Sequence, residues 1–281
     1  MAASILSMEA VSLSFKDKRV LDNLTFAIPR GQTFGFLGPS GAGKTTTIKL
    51  LTRQLVKDAG RISLLGRPIE KASPADYERI GILSDTSALY ERMSIADNLR
   101  FYARTRGVSH GRVPYLLERM GLAESGKTLI KNCSKGMRQR AALAAALVHQ
   151  PELLFLDEPT SGLDPAARAE VHKMLGELKE RGTTVFITTH DMAEAETVCD
   201  RVAILNDGAI AACDAPDDLK LRYARNRVVI RTRTRGAFEA AKDAAGAALI
   251  DELIRAGELV SIHSDEPNLE EVFLEVTGRE F

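Results

Sequence analysis

The chain has 281 residues, 38 Lys plus Arg against 38 Asp plus Glu, and 44% hydrophobic residues. That length and apolar share suit one sizeable α/β domain with a smaller appendage and exclude a disordered chain. The charge balance leaves no overall field to steer the chain to nucleic acid, which is not expected as a partner, or to an anionic membrane.

Nowhere do eighteen apolar residues run together, and residues 1–7 lack the basic start and apolar stretch of a signal peptide. The sequence therefore predicts no spanning helix and a cytoplasmic location. Cys133, Cys199 and Cys213 are far apart and show no Cys-x-x-Cys spacing, so they read as reduced, packing cysteines.

Residues 8 to 28 alternate apolar and polar around Lys16-Asp17-Lys18-Arg19, which predicts antiparallel strands joined by a charged turn. Phe15 closes the first of them. Its ring suits either the core or stacking on a nucleotide base. Thr33-Phe34-Gly35-Phe36-Leu37 then reads as a short apolar strand, and Ile48-Lys49-Leu50-Leu51 as part of a helix.

Between them lies Gly38-Pro39-Ser40-Gly41-Ala42-Gly43-Lys44-Thr45, with the spacing of a phosphate-binding loop, in the required order of strand, loop and helix. Glycines let successive N–H groups turn toward phosphate oxygens, the helix start favours an anion, and Lys44 adds a full positive charge. Thr45 offers a hydroxyl to magnesium. The alternative is a glycine-rich turn with a chance lysine.

Asp58-Ala59-Gly60 ends the helical pattern, and residues 61–68 read as a hairpin. Ile80-Gly81-Ile82-Leu83 is a short strand that runs out into Ser84-Asp85-Thr86, and residues 94–149 are helical in pattern. Leu153-Leu154-Phe155-Leu156 is a continuous apolar run ending in Asp157 and Glu158, as in a parallel strand buried on both faces. Carboxylates at such a strand end need a cation. Magnesium on Asp157, across from Thr45, supplies it in phosphate-loop enzymes, and Glu158 is placed to polarise water.

Asp164-Pro165 reads as an N-cap followed by proline in the first turn, with Gly182 closing that helix. Residues 183–189 form a third apolar, β-branched strand and deliver His190. Three strands thus each present a polar group at the carboxyl end, where parallel α/β sheets bind ligands.

These residues resemble the nucleotide-binding subunit of ATP-binding-cassette transporters over residues 8–213. The segment Cys133-Ser134-Lys135-Gly136-Met137-Arg138-Gln139-Arg140 is similar to that family's signature, which phosphate-loop kinases and switch GTPases lack. The resemblance implies an α/β P-loop NTPase with a RecA-like core, an antiparallel β subdomain, an inserted helical subdomain at about 86–149, and a nucleotide-binding domain of residues 1–213. It implies ATP and magnesium as ligands. Phe15 would stack on adenine, residues Gly38, Pro39, Ser40, Gly41, Ala42, Gly43, Lys44, Thr45 and Thr46 would cradle phosphates, and Thr45 with Asp157 would hold the metal. Glu158 would be the base, His190 the sensor of the terminal phosphate, and Lys44 would serve catalysis as well as binding.

By the same resemblance, Ser161-Gly162-Leu163-Asp164 crosses between subunits, and Ser134 and Gly136 cap the ATP of a second ATP-binding subunit. Transport would need a separate transmembrane permease subunit, which places the chain on the inner face of the membrane. Asp85 stands where the family has a glutamine, and is assigned to the metal site as an added oxygen ligand. Lys135 and Met137 depart from the common signature and resemble exporter subunits of the drug, antibiotic and sodium type, as does Asn268-Leu269-Glu270-Glu271-Val272-Phe273-Leu274-Glu275.

Residues 214–281 read as a small α/β accessory domain. It is expected to hold a strand with Arg231, Arg233 and Arg235 on one basic face and a helix over Phe238 to Leu253. The rival functions are a soluble ATP-driven switch, disfavoured because no internal repeat or sustained heptads occur, and a nucleotide kinase, which would leave residues 133–140 unexplained.

Overall fold

The computed structural model describes residues 4–84, 89–109 and 111–278. The chain divides into two compact units, Met1–Asp214 and Ala215–Glu280.

The first unit begins with β1 (Ser4–Phe15), β2 (Lys18–Pro29), β3 (Thr33–Leu37), α1 (Lys44–Leu51), β4 (Ala59–Leu64), β5 (Arg67–Pro68), α2 (Pro74–Tyr77) and β6 (Ile80–Leu83). It continues through α3 (Ile95–Thr105), α4 (Arg112–Arg119), α5 (Lys135–Leu147), β7 (Leu153–Asp157), α6 (Pro165–Glu180), β8 (Thr184–Thr189), α7 (Met192–Val198), β9 (Arg201–Asn206) and β10 (Ala209–Asp214). An antiparallel sheet has the order β2-β1-β4-β5, and a second sheet the order β10-β9-β3-β8-β7-β6.

Two patterns in the sequence explain the two sheets. In β2 the buried residues Leu24, Phe26 and Ile28 alternate with exposed ones, the period of a sheet buried on one face. Strands β3 and β8 are buried throughout, and pair in parallel with Phe34 opposite Phe186. Parallel pairing continues from β8 to β7 and from β7 to β6, while only the β9–β10 pair in this sheet is antiparallel. The carboxyl ends of β3, β7 and β8 therefore lie along one edge.

One core joins the sheets. The Phe26 ring stacks on Phe34 with centroids 5.2 Å apart, and Phe36 lies 5.3 Å from Phe186. Ile48 and Leu51 of α1 belong to the same cluster. Burial of such rings contributes the dominant, non-directional stabilisation of the unit. Cys199 Sγ fills space beside Gly35, 2.7 Å from where a Cβ would sit there, and its burial pushes the thiol pKa up. All three cysteines are free, with Cys133 and Cys199 buried.

Helices α3, α4 and α5 pack on one another. Ser94 caps α3 by accepting from Asp97 N at 3.1 Å, and Ser134 caps α5 by accepting from Met137 N at 3.2 Å. Just past α5, His149 Nε2 donates to Ile80 O at 3.0 Å. Burial, aided by the Arg106 charge, lowers the pKa of this imidazole from 6.5 to about 4.

A pH dependence follows from His149. Above about pH 6.5 both folded and unfolded chains carry it neutral, and its contribution to stability is complete. As pH falls from 6.5 toward 4 the unfolded chain takes up a proton that the folded chain refuses, so stability declines. After discounting for partial exposure the loss is about 1–3 kcal/mol. Urea unfolding at pH 7 and pH 4.5 should show a smaller acid loss for His149→Gln than for the wild type; equal losses would reject this role.

The second unit contains α8 (Pro216–Arg222), β11 (Arg227–Thr232), β12 (Gly236–Ala241), α9 (Ala244–Arg255), β13 (Leu259–Ser264) and α10 (Leu269–Thr277). Its sheet has the order β12-β11-β13, and Val228, Ile230 and Leu253 form its buried cluster, with Phe238 and Ala240 packed against it. Two expectations are corrected here. Phe238 lies in β12, and the helix begins only after Asp243, whose side chain accepts from Gly246 N at 2.9 Å. Pairing with β11 overrides the helix propensity of an alanine-rich run.

The arginine stripe is also broken. Of Arg231, Arg233 and Arg235 just the first lies in β11, because Thr232 Oγ1 donates to Gly236 O at 3.2 Å and accepts from Arg235 N at 3.1 Å, closing a turn that contains Arg233 and Arg235. No helix among the described residues is long and apolar enough to cross a membrane.

Candidate functional site

The loop between β3 and α1 is shaped by glycine. Gly41 and Gly43 have φ of 82° and 110°, a region that side chains with a Cβ rarely enter. At Gly43 there is no room either: a Cβ would fall 2.6 Å from Leu21 Cδ2 and 3.1 Å from Val20 O. Those atoms belong to β2, so the hairpin that carries Phe15 abuts the loop. Phe15 is 47% exposed, which removes core packing from the two roles open to its ring. Gly38, Ala42 and Lys44 are buried, Ser40 and Gly41 exposed, and Pro39, Thr45 and Thr46 half-buried.

Helix α1 starts at Gly43 with no side-chain cap, which leaves its first N–H groups for other partners. Lys44 Nζ donates to Gly38 O at 2.6 Å and to Pro39 O at 3.2 Å. Burial lowers the Lys44 pKa, while the charges of Glu158 and Asp157 act to raise it. A desolvated ammonium bonded to two neutral carbonyls fits an anionic phosphate.

The opposite side of the site comes from β7 and β8. Asp157 pairs with Thr188 across the two strands; Asp157 Oδ1 accepts from Thr188 Oγ1, and its Oδ2 accepts from Thr45 Oγ1 at 2.9 Å. A threonine hydroxyl and one carboxylate are hard oxygen donors of the kind that hold magnesium together with substrate phosphates. The residues present therefore fit both groups.

Glu158 follows β7 with φ of 48°, a left-handed conformation that costs a non-glycine residue about 1–2 kcal/mol. Its N–H donates to Thr188 O at 3.0 Å. His190 Nδ1 lies 3.1 Å from Glu158 Oε1, with the two side chains 56% and 36% exposed. The pair is accessible to a ligand.

Thus Lys44, Thr45, Asp157, Glu158 and His190 converge on one sheet edge. Ser134 and Gly136 do not join them. A Cβ at Gly136 would meet Leu163 Cδ2 at 3.4 Å, so the start of α5 lies against the 161–164 turn of its own chain. Asp164 caps α6, accepting from Ala167 N at 2.9 Å. Asp85 lies outside the described residues.

Sequence reasoning missed Thr188, the hydroxyl partner of Asp157, and Gln139, whose Nε2 is 3.3 Å from Glu158 O and 3.1 Å from Pro159 O. It also missed Glu194, buried at 2% exposure, whose Oε1 accepts from Thr160 Oγ1 at 2.7 Å. The hydroxyl of Thr188, two residues before His190 and directly after the apolar run Val185-Phe186-Ile187, is a usable signal.

A family model described as ABC transporter matches residues 21–161. A fluoroquinolones export ATP-binding protein from Mycobacterium tuberculosis is 41% identical over 92% of this chain and 87% of its own length. The chain belongs to the ABC transporter family.

It carries the ATP-binding domain of that family, a domain that binds ATP. Other ABC relatives match over nearly their whole length. A daunorubicin resistance ATP-binding protein from Streptomyces coeruleorubidus is 34% identical over 99% of this chain and 97% of its own. Nod factor export ATP-binding protein I from Cupriavidus metallidurans is 35% identical over 99% and 98%. A solved ATP-binding subunit of an ABC transporter superposes with a TM-score of 0.73, at 30% identity, covering 78% of this chain and 93% of that one. The α/β fold with its antiparallel β subdomain is that of ABC ATPases of the P-loop NTPase class.

Proposed function

We propose that this chain is the magnesium-dependent ATPase subunit of an exporter, coupling ATP binding and hydrolysis to a separate transmembrane permease. The observation that carries this reading is the convergence of Lys44, the Thr45–Asp157 pair and the Glu158–His190 pair on one edge of the sheet. The names of the relatives, which speak of fluoroquinolones export, daunorubicin resistance and Nod factor export, favour export over import.

In this reading the N–H groups of residues 38–46 and the Lys44 ammonium bind the phosphates, and Phe15 stacks on the adenine. Thr45 and Asp157 hold magnesium, which when bound neutralises charge on the phosphate oxygens. Glu158 accepts the proton of the attacking water at its carboxylate, and His190 orients that carboxylate while contacting the terminal phosphate. Residues 1–213 form the nucleotide-binding domain, with 86–149 as its helical part and 214–281 as an accessory domain. Ser134 and Gly136, at the start of α5, face the ATP of a second such subunit, identical or homologous. The chain then sits at the inner membrane face through its permease.

Phosphate release by the purified chain, with and without magnesium, tests the activity, and recovery of a polytopic membrane protein with the tagged chain from detergent extract tests the partnership. Magnesium-independent release, or an ATPase that never recovers a membrane protein, would reject the respective part. Asp85 is kept in the proposed metal set as an oxygen ligand. Asp85→Gln should shift the magnesium concentration giving half-maximal turnover, and an unchanged value would remove Asp85 from the site.

A further inference from the structure

Glu158 holds a left-handed backbone at φ 48°, and such a residue stays there only where its surroundings over-determine it. The amino side is held by Thr188, with Glu158 N 3.0 Å from Thr188 O and 3.3 Å from Thr188 Oγ1. The next residue, Pro159, has no N–H, so the chain beyond Glu158 can be gripped only through carbonyls until residue 160. Gln139, half-buried on α5, reaches them. Its Nε2 lies 3.3 Å from Glu158 O and 3.1 Å from Pro159 O, and only the nitrogen end of a carboxamide can donate to two carbonyls.

The far end of the turn is fastened elsewhere, by Thr160 Oγ1 donating to Glu194 Oε1 at 2.7 Å, with His172 Nε2 3.2 Å from the same oxygen. Between the Thr188 grip and the Glu194 grip, the side-chain hold on the two carbonyls comes from Gln139. We propose that Gln139 is the positioning residue that keeps the Glu158 carboxylate at its reactive site beside His190, an inference resting on the reading of Glu158 as the base. Glu158 O also accepts from Ser161 N at 3.2 Å, a bond of the turn itself, so loss of Gln139 leaves Glu158 O with that donor and takes the side-chain donor from Pro159 O. The turn loosens on the Pro159 side and the carboxylate loses its fixed aim. Lys44, Thr45 and Asp157 do not depend on Gln139, so nucleotide binding is untouched.

The test compares Gln139→Leu, which removes the donors at similar size, with Gln139→Glu, which presents acceptors to both carbonyls. Turnover is measured against ATP concentration, affinity with a fluorescent ATP analogue, and folding by thermal unfolding. Both variants should lower kcat by about ten- to a hundred-fold, the scale for a misplaced catalytic group, and leave analogue affinity within about two-fold. In a Glu158→Gln background neither should slow turnover further, because two groups that act as a unit are not additive.

Should the leucine variant fail to fold, the glutamate variant decides. Wild-type turnover by either folded variant beside an inactive Glu158→Gln overturns this inference alone, as does a full additional loss in the double variant. Wild-type turnover by Glu158→Gln overturns the base assignment and this inference together.

Discussion

Glu158→Gln is expected to bind ATP as tightly as the wild type while releasing phosphate about 10²- to 10⁴-fold more slowly, the range for loss of a general base. The amide matches the carboxylate in size and still reaches His190 Nδ1, which lies 3.1 Å from Oε1 in the native pair. The left-handed backbone and its bonds to Thr188 and Gln139 involve main-chain atoms of residue 158 and survive the change. What is lost is the carboxylate's charge and, with it, proton acceptance. With ATP bound and not consumed, the proposed pair of subunits has no route to reopen. Size-exclusion chromatography with ATP and magnesium should therefore show a dimer for Glu158→Gln that the wild type does not accumulate. Hydrolysis at the native rate would take the base role from Glu158, and a monomer at saturating ATP would count against the shared site.

The second large effect concerns Lys44. The residue is buried at 7% exposure, its ammonium is bonded to Gly38 O and Pro39 O, and its pKa is lowered first of all by burial. The folded chain thus carries a desolvation cost that an anion would offset. Lys44→Met keeps the length of the side chain and removes the charge. The ATP affinity should fall by about 3 kcal/mol, roughly a hundred-fold, as for a strong charge-assisted hydrogen bond. The nucleotide-free protein should change little in stability, because the desolvation cost that disappears with the charge is set against the lost bonds to Gly38 O and Pro39 O. Titration with a fluorescent ATP analogue and thermal unfolding without nucleotide give the two readings. An affinity within about three-fold of wild type, set against a charged hydrogen bond of about 1.5–3 kcal/mol, would show that Lys44 does not supply the binding charge.

Much of the site could be read along the chain because its parts are local. A phosphate loop is one continuous turn between a strand and a helix, and glycines at 41 and 43 mark the positive φ angles found there. The caps at Ser134, Asp164 and Asp191 each accept from an N–H three residues on, so they too belong to short stretches. Apolar runs ending in Asp157 and His190 announced strands buried on both faces, since a periodicity of one kind of residue is a property of the segment alone.

Tertiary structure decided what those segments face. The order β3-β8-β7 sets Thr188 beside Asp157 and brings Thr45 to the same carboxylate; strand pairing across more than a hundred residues leaves no mark in local pattern. Phe15 ends a strand that could have turned either way, and only the packed hairpin exposes its ring. The run from Phe238 has the composition of a helix, yet its register against β11 makes it a strand. Gln139 could be seen in the sequence as part of a signature segment, but its grip on Glu158 and Pro159 exists only because α5 packs against the turn after β7. Sequence by itself determined the chemistry available at each strand end, because backbone conformation and side-chain charge are local. The fold determined which of those groups meet, because hydrogen bonds between distant segments depend on packing that no single segment contains.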